Sequence, residues 1–392
     1  MAKFVYADNA ATTPVSREVI EEMTPVFETL WGNPSSLHSK GREAKALLDG
    51  ARARIANVFS CQPREIYFTS CGSEADNWAI KGAARKLAKK GRNHIVTSVI
   101  EHPAVLNTCK ALEKEGFSVT YVGVDNYGVV KMDELRDAIT EKTAIVAIMY
   151  ANNEIGTIEP IAEICELAHA KGALMFTDAV QAVGNVDIDL SKLPVDMLAL
   201  SGHKLHAPKG IGMLFIRKGV LIDNLIDGGG QEMRHRAGTE NMPYIVGLAK
   251  ALEVAKEKLA DIPALEKKRD RLIEALTKIP YSSLNGHPTN RLAGNVNIGF
   301  EFIEGESMLL WLDISGICAS TGSACSSASL EPSHVLLATG VPHEKAHGSV
   351  RLSISHETTD EDIDYIIETL PPIVEKLRNM SPLWESVVDK KG

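Results

Sequence analysis

Apolar positions in the first half of the chain follow two different periods. Between residues 40 and 60 they recur three and four positions apart, which indicates an amphipathic helix. Downstream, short strand-like apolar runs alternate with helical patterns. The predicted strands cover 94–99, 119–124, 144–150, 173–177, 197–200 and 213–216, and the predicted helices 103–115, 132–139 and 161–171. This alternation predicts βαβ units, and therefore an α/β protein with a mainly parallel sheet.

The pattern changes after a charged helical region at about 243–279, which Pro263 interrupts. Strands are predicted at 295–300 and 350–354, a short helix at 306–311, and a helix at 360–370 that begins with a capping box at Thr358 or Thr359. We therefore expect a large domain of residues 14–262. A smaller α+β domain would combine residues 1–13 with 263–392.

Composition and charge exclude several classes of protein. The 392 residues are 44% hydrophobic and 24% charged, with a net charge of −9, so neither disorder nor nucleic acid binding is expected. Asp8 interrupts the position where a signal peptide would be apolar, and a cytoplasmic protein without a membrane segment is expected. The six cysteines form no CxxC pair, which argues against a zinc ribbon.

Polar residues follow the predicted strands at the end where ligands collect in open α/β sheets. They are Glu101 and His102, Asn152 to Glu154, Asp178 with Gln181, and Ser201 to Lys204. Pyridoxal phosphate needs a lysine for a Schiff base, a carboxylate against its pyridinium nitrogen and a phosphate cradle. Lys204 and Asp178 fit the first two requirements. A helix start near Gly72 and Ser73 fits the third, although Ser73 could also cap that helix without any ligand.

Longer segments give a more specific indication. They include YADNAATTPV at 6–15, GNPSSLHSKG at 32–41, NNEIGT at 152–157, TDAVQAVG at 177–184, SGHKLHAPKGIG at 201–212, RAGTEN at 236–241, GSACSSASLEPSHVL at 322–336 and HGSVRLSIS at 347–355. On these segments the chain resembles the NifS/IscS-type cysteine desulfurases, pyridoxal-phosphate enzymes of the class-V aminotransferase family. The resemblance implies fold type I, similar to aspartate aminotransferase. That fold has a large domain with a mainly parallel seven-stranded sheet and a smaller α+β domain.

The resemblance also implies roles for individual residues. Lys204 would bind the cofactor covalently, Asp178 would face the pyridinium nitrogen, and His102 would stack on the ring and transfer protons. The other implied cofactor ligands are Gln181 and Asn153 at the ring, Gly72, Ser73, Ser201 and His203 at the phosphate, and Thr239 from the partner of a homodimer. Arg351 would bind the substrate carboxylate, with Asn153 beside it.

Cys325 is the expected sulfur acceptor. L-cysteine would be converted to L-alanine, and the sulfur, held as a persulfide on Cys325, would pass to a scaffold protein or another acceptor for iron–sulfur cluster assembly. Residues 321–329 are mostly Gly, Ser and Ala, which suits a loop that moves the thiol. No resident metal is expected, although Cys325 could ligate a transferred cluster.

Two alternatives remain open. Another enzyme of the same fold, such as a selenocysteine lyase or an aminotransferase, would use the same cofactor. A zinc metallopeptidase would use the HExxH pattern of His343, Glu344 and His347, but Pro342 and Gly348 leave room for little more than one helical turn.

Overall fold

The computed structural model describes residues 3–321, 332–382 and 384. The strands are β1 Val5–Tyr6, β2 Ile66–Thr69, β3 His94–Ser98, β4 Ser118–Val122, β5 Thr143–Ala147, β6 Leu174–Asp178, β7 Met197–Ser201, β8 Gly212–Ile216, β9 Ser282–Leu284, β10 Asn295–Phe300, β11 Ile317–Cys318 and β12 Ser349–Ser353. The helices are α1 Arg17–Glu28, α2 Ser39–Phe59, α3 Gly72–Ala88, α4 Pro103–Lys114, α5 Met132–Ala138, α6 Ile161–Ala170, α7 Gln231–Arg234, α8 Met242–Lys258, α9 Ile262–Leu276, α10 Gly305–Ile314, α11 His334–Ala338, α12 His343–Ala346 and α13 Asp360–Asn379.

The larger sheet has seven strands in the order β2-β8-β7-β6-β5-β3-β4. Strand β8 is antiparallel to both of its neighbours, and the other pairs are parallel. The predicted α/β class and mainly parallel sheet are thus confirmed. Because β2 is antiparallel to β8, it runs in the same direction as β7, and its carboxyl end lies at the same sheet edge.

Helices cover both faces of this sheet, as its almost fully buried strands require. On one face α3 packs through a run of small residues and Trp78, which is 1% exposed. On the other face α2 and α8 pack against each other and against the sheet. Helix α3 lies against four central strands, so its first turn is held at the sheet edge where those strands end.

The smaller sheet contains β9, β10 and β12, which pair in antiparallel fashion in the order β12-β10-β9. Helices α9, α10 and α13 share its apolar core. That core takes residues from two distant parts of the sequence, Val5 and Ala7 on one side and 265–377 on the other. The N-terminal segment joins this unit through the parallel pairing of β1 with β11.

The end of the last helix differs from the sequence prediction. Helix α13 begins at the expected capping box, Thr359 with Asp362, but it continues past Leu370 through Pro371 and Pro372 to Asn379. Buried Ile373 and Val374 explain this extension, because their packing offsets the loss of two backbone hydrogen bonds. Within the described part of the chain, no helix combines the length and apolar character that crossing a bilayer requires.

Candidate active site

A cavity of about 470 Å³ lies at the carboxyl edge of the larger sheet. The ends of β2, β3, β5, β6 and β7 each deliver polar side chains to it, and β12 of the smaller sheet adds Arg351. Of the predicted residues, it is lined by Gly72, Ser73, His102, Asn153, Asp178, Gln181, Ser201, His203, Lys204 and Arg351. The structure thus brings these ten residues together around one cavity.

Lys204 is the last residue of a single 3₁₀ turn that follows β7 directly. Its Nζ donates to the backbone oxygens of Ala10 at 2.5 Å and Ala11 at 2.6 Å. Thr13 fixes the same N-terminal segment to the turn, since its backbone N–H and hydroxyl both donate to the carbonyl oxygen of His203. The amine is therefore held at the boundary between the N-terminal segment and the larger sheet.

Asp178 ends β6 and is 6% exposed. Its Oδ1 accepts the backbone N–H of Val180 at 2.9 Å. Burial raises the pKa of Asp178, while nearby His102 and Lys204 and the Val180 hydrogen bond act against that rise. A buried carboxylate with cationic neighbours in reach suits a partner for a protonated ring nitrogen.

His102 is the N-cap of α4, and its Nδ1 accepts the backbone N–H of Ala104 at 3.2 Å. This bond leaves Nε2 as the protonated nitrogen of the neutral ring. An imidazole fixed in this way keeps one defined nitrogen available for proton transfer.

The first turn of α3 faces the cavity without a side-chain cap. The N-cap residue is Cys71, which makes no side-chain capping bond within the described part of the chain. Ser73 lies inside the first turn, so the alternative in which it caps this helix is wrong. Gly72 packs closely, because a Cβ built on it would approach Val180 Cγ2 to 2.9 Å. Backbone N–H groups at a helix start without a side-chain cap favour an anionic ligand.

His203 precedes Lys204 and reaches the N-terminal segment, with its Nδ1 3.2 Å from the Thr12 hydroxyl. Burial, followed by the charges of Lys204 and Lys209, lowers the pKa of His203 to about 4. The imidazole is therefore neutral at physiological pH and acts as a hydrogen-bonding group.

Arg351 is 1% exposed and bridges three segments of the chain. Nη1 donates to the Asn153 carbonyl at 2.9 Å, and Nη2 donates to Asp8 Oδ1 at 3.0 Å. Among the described residues, its buried Nε has no hydrogen-bond partner. The bonds of Nη1 and Nη2 hold the guanidinium in one orientation at the cavity wall.

The other predicted site residues do not line this cavity or lie outside the described residues. Thr239 is exposed and does not line the cavity of its own chain. Cys325 lies outside the described residues.

The HExxH pattern forms only the four-residue helix α12, and Lys345 within it pairs with Glu301 at 2.6 Å. This is not the long helix on which a metallopeptidase holds its zinc.

Sequence reasoning missed two ionisable residues of the cavity wall, Asp76 and His334, and gave no role to Glu154, which it placed at this sheet edge. Asp76 is four positions after Gly72, and this helical spacing is a signal that could have placed it on the same face. Glu154 is 4% exposed, and burial raises its pKa to about 7 although the Ser333 hydroxyl donates to it.

Known proteins resemble this chain over nearly its whole length. The profile of the aminotransferase class-V family matches residues 5–366. A protein of Methanosarcina thermophila named cysteine desulfurase IscS is 58% identical over 97% of this chain and 94% of its own length. Another of that name, from Clostridium botulinum strain Hall, is 53% identical over 100% of this chain and 99% of its own.

Solved structures agree with these sequence relatives. One described as a NifS-like protein superposes with a TM-score of 0.90 at 40% identity, covering 96% of this chain and all of the other. A second, of SspA in complex with cysteine, has a TM-score of 0.79 at 37% identity, covering 89% of this chain and 98% of the other. The chain therefore belongs to the class-V aminotransferase family, and within it to the IscS-type cysteine desulfurases.

Proposed function

We propose that the protein is a pyridoxal-phosphate-dependent cysteine desulfurase, which converts L-cysteine to L-alanine and keeps the sulfur as a persulfide on Cys325. The observation that carries this proposal is the convergence of Lys204, Asp178 and the uncapped start of α3 on one cavity. These three features supply an amine, a carboxylate and an anion site, the set that the cofactor requires.

The residues present fit pyridoxal phosphate. The N–H groups at the start of α3, with Ser73, Ser201 and His203, would hold the phosphate. Asp178 would keep the ring nitrogen protonated, and His102, Gln181 and Asn153 would surround the ring. When bound, the cofactor supplies an electron sink that stabilises negative charge at the substrate's α-carbon.

Arg351 would orient the substrate by its carboxylate. Its guanidinium is on the cavity wall, and a guanidinium group binds a carboxylate well. Since Asp8 and Asn153 already occupy Nη2 and Nη1, the guanidinium cannot turn away from the cavity. Amino acids with a free carboxylate would thus be preferred.

His102 would move the proton. Because Nδ1 accepts from Ala104, the ring exchanges its proton through Nε2. Lys204 would supply a second group able to accept a proton, at Nζ. Glu154 lies on the same wall, and burial raises its pKa to about 7. Its carboxyl group can therefore gain or lose a proton near neutral pH.

The thiolate of Cys325 would attack the sulfur of the bound substrate. A sulfur–sulfur bond forms and the carbon–sulfur bond breaks, while the bonding electrons stay with the carbon fragment, which becomes alanine after protonation. Residues on both sides of this cysteine support its placement. Ser320 pairs through its backbone with Arg351, and Ser333 donates to Glu154, so residues before and after Cys325 contact two groups of the cavity wall.

The persulfide would pass to an iron–sulfur scaffold protein or another sulfur acceptor in the cytoplasm. The protein would form a homodimer in which Thr239 completes the partner's phosphate site. The exposure of Thr239 supports this arrangement, as does the exposure of several large apolar side chains. Phe27 is 56% exposed, Trp31 67% and Leu37 92%. Such a surface favours burial against another subunit.

The proposed domain division places the large domain at residues 14–262 and the small one at 1–13 with 263–392. Two observations support it. The core of the smaller sheet draws on residues 5–7 and 265–377, and a short 3₁₀ turn, Leu259–Asp261, separates α8 from α9.

The proposal is tested by supplying the purified, pyridoxal-phosphate-loaded protein with L-cysteine and a thiol reductant and measuring alanine and sulfide. We expect equal amounts of both, and we expect Cys325→Ser to keep the visible absorbance of the cofactor while losing both products. Cys61→Ser is the control, because Cys61 does not line the cavity. Turnover of Cys325→Ser at the parent rate would contradict the role of Cys325. Selenide release from selenocysteine without any turnover of cysteine would favour the lyase alternative.

A further inference from the structure

The cavity wall includes a further carboxyl group, that of Asp76, which the proposed chemistry does not use. It is 1% exposed and projects from the second turn of α3. One oxygen each from Asp76 and Asp178 and one ring nitrogen of His102 all lie within 4.8 Å of one another. Two carboxyl groups thus share a buried space beside one imidazole.

The surroundings of the two carboxyl groups are unequal. Asp178 accepts a backbone N–H and has His102 and Lys204 nearby, all of which favour its charged form. Oδ1 of Asp76 is buried and receives no hydrogen bond from any residue that the structure describes. Two like charges this close and this deeply buried repel each other, which favours a single charge on the pair.

We propose that Asp76 is a positioning residue that holds a proton beside Asp178, so that the negative charge of the pair stays on Asp178, where the cofactor's ring nitrogen requires it. This inference rests on the proposed role of Asp178 and adds to it. A neutral Asp76 also has a hydrogen-bond donor to direct at the Asp178 carboxylate, which would fix the orientation of that group.

The groups that face Asp76 support this assignment. Burial acts first, and Asp178, Glu101 and Cys71 add to it, so that the pKa of Asp76 is raised well above its usual value. Glu101 is itself buried, and burial raises its pKa as well. The charged groups that act on Asp76 raise its pKa further, whereas His102 and Lys204 act to lower that of Asp178.

The test compares Asp76→Asn, which keeps a neutral polar group, with Asp76→Ala, which removes it. Asp76→Ser replaces the alanine variant if that variant does not fold. In each pyridoxal-phosphate-loaded protein we would measure the pH dependence of the cofactor's visible absorbance, the affinity for the cofactor and the infrared band of protonated carboxyl groups at neutral pH. Glu159→Gln is the control, since Glu159 is also buried with one unpartnered oxygen but lies outside the cavity.

For Asp76→Asn we expect an unchanged absorbance titration and cofactor affinity, together with loss of one protonated-carboxyl band relative to the parent. For Asp76→Ala we expect affinity lower by about tenfold or more, the usual effect of losing a hydrogen bond to a charged group. Glu159→Gln should lose an infrared band without changing the cofactor's spectrum.

Three results would overturn the proposal. The first is a shifted titration in Asp76→Asn, because it would show that a charge had been removed. The second is an infrared spectrum that Asp76→Asn leaves unchanged, and the third is parent-like behaviour of Asp76→Ala in every measurement. If the parent itself bound no pyridoxal phosphate, the proposed function would fail instead, and the infrared comparison would still report the protonation of Asp76.

Discussion

Asp8 and Arg351, which are 343 positions apart in the sequence, form an ion pair of 3.0 Å at the edge of the cavity. Their side chains are 18% and 2% exposed, so the pair is largely shielded from water. It connects the N-terminal segment, whose next residues hold the Lys204 amine, to β12 of the smaller sheet. The same short N-terminal segment thus positions Arg351, proposed to bind the substrate, and Lys204, proposed to bind the cofactor.

The first prediction concerns this pair. Asp8→Asn should raise KM for L-cysteine by about tenfold with a smaller change in kcat, because a neutral amide orients the guanidinium less firmly while the reacting groups remain. Steady-state kinetics on the loaded enzyme measures both constants. Glu21→Gln is the matched control, since it removes a carboxylate from an exposed ion pair with Arg17 and should change neither. If kcat instead fell about tenfold and KM did not change, Asp8 would act on the chemical step.

The second prediction concerns the start of α3. Gly72→Ala should weaken pyridoxal phosphate binding by about tenfold, because the added methyl group meets Val180 at 2.9 Å and displaces the turn proposed to hold the phosphate. Titration of the cofactor-free protein with pyridoxal phosphate, followed by absorbance, measures the affinity. Gly50→Ala tests whether any glycine in a helix would give this effect.

Gly50 lies in α2, and a methyl group there meets no atom within 4 Å. Its replacement should leave the affinity unchanged and raise stability by about 0.5–1 kcal/mol. Equal affinities for the two glycine variants would contradict the proposed phosphate site.

The third prediction concerns the covalent bond between the cofactor and Lys204. Treatment of the loaded enzyme with borohydride should attach the cofactor to the peptide that contains Lys204, and Lys204→Ala should abolish this attachment. Mass spectrometry of the digest gives the result. Lys209→Ala is the control, because Lys209 is exposed and does not line the cavity. Labelling that persists in the Lys204→Ala protein would assign the amine to another residue.

The fourth prediction is a pH dependence that originates in Glu154. Its pKa is about 7 in the folded protein, above that of an exposed glutamate, so the folded state holds a proton that the unfolded state releases. This contribution to stability is complete below about pH 4.5. It declines as the pH rises and is lost above about pH 7.

Glu154→Gln should therefore reduce the fall in melting temperature between pH 5 and pH 8, as measured by calorimetry on the loaded protein. Glu163→Gln, at an exposed position of α6, should retain the parent's pH dependence. If both variants followed the parent, Glu154 would not be the titrating group.

The sequence was sufficient to predict the residues that follow buried strands. Lys204, Asp178 and His102 each come directly after an apolar run, and parallel strands bring such positions to one edge of a sheet. The seven-stranded architecture came from the resemblance, because the run that forms β2 is only four residues long. Periodicity alone does not identify so short a strand.

Contacts between distant segments could not be predicted. The bond from Lys204 to Ala10 and the pairing of Asp8 with Arg351 join residues that no local pattern relates. The capping role first considered for Ser73 was wrong because α3 begins earlier than its apolar pattern does, at Gly72. Small and polar residues in a first turn contribute little to a hydrophobic period.

Sulfur transfer from cysteine to Cys325 at the cavity that contains Lys204 can be measured in a single incubation. The loaded enzyme is mixed with sulfur-labelled L-cysteine, without reductant, and its peptides are analysed by mass spectrometry. We expect one labelled sulfur on the peptide that contains Cys325, together with an equal amount of alanine and no label in the Lys204→Ala protein. Alanine formed without label on that peptide, or label on Cys325 in the absence of Lys204, would contradict this expectation.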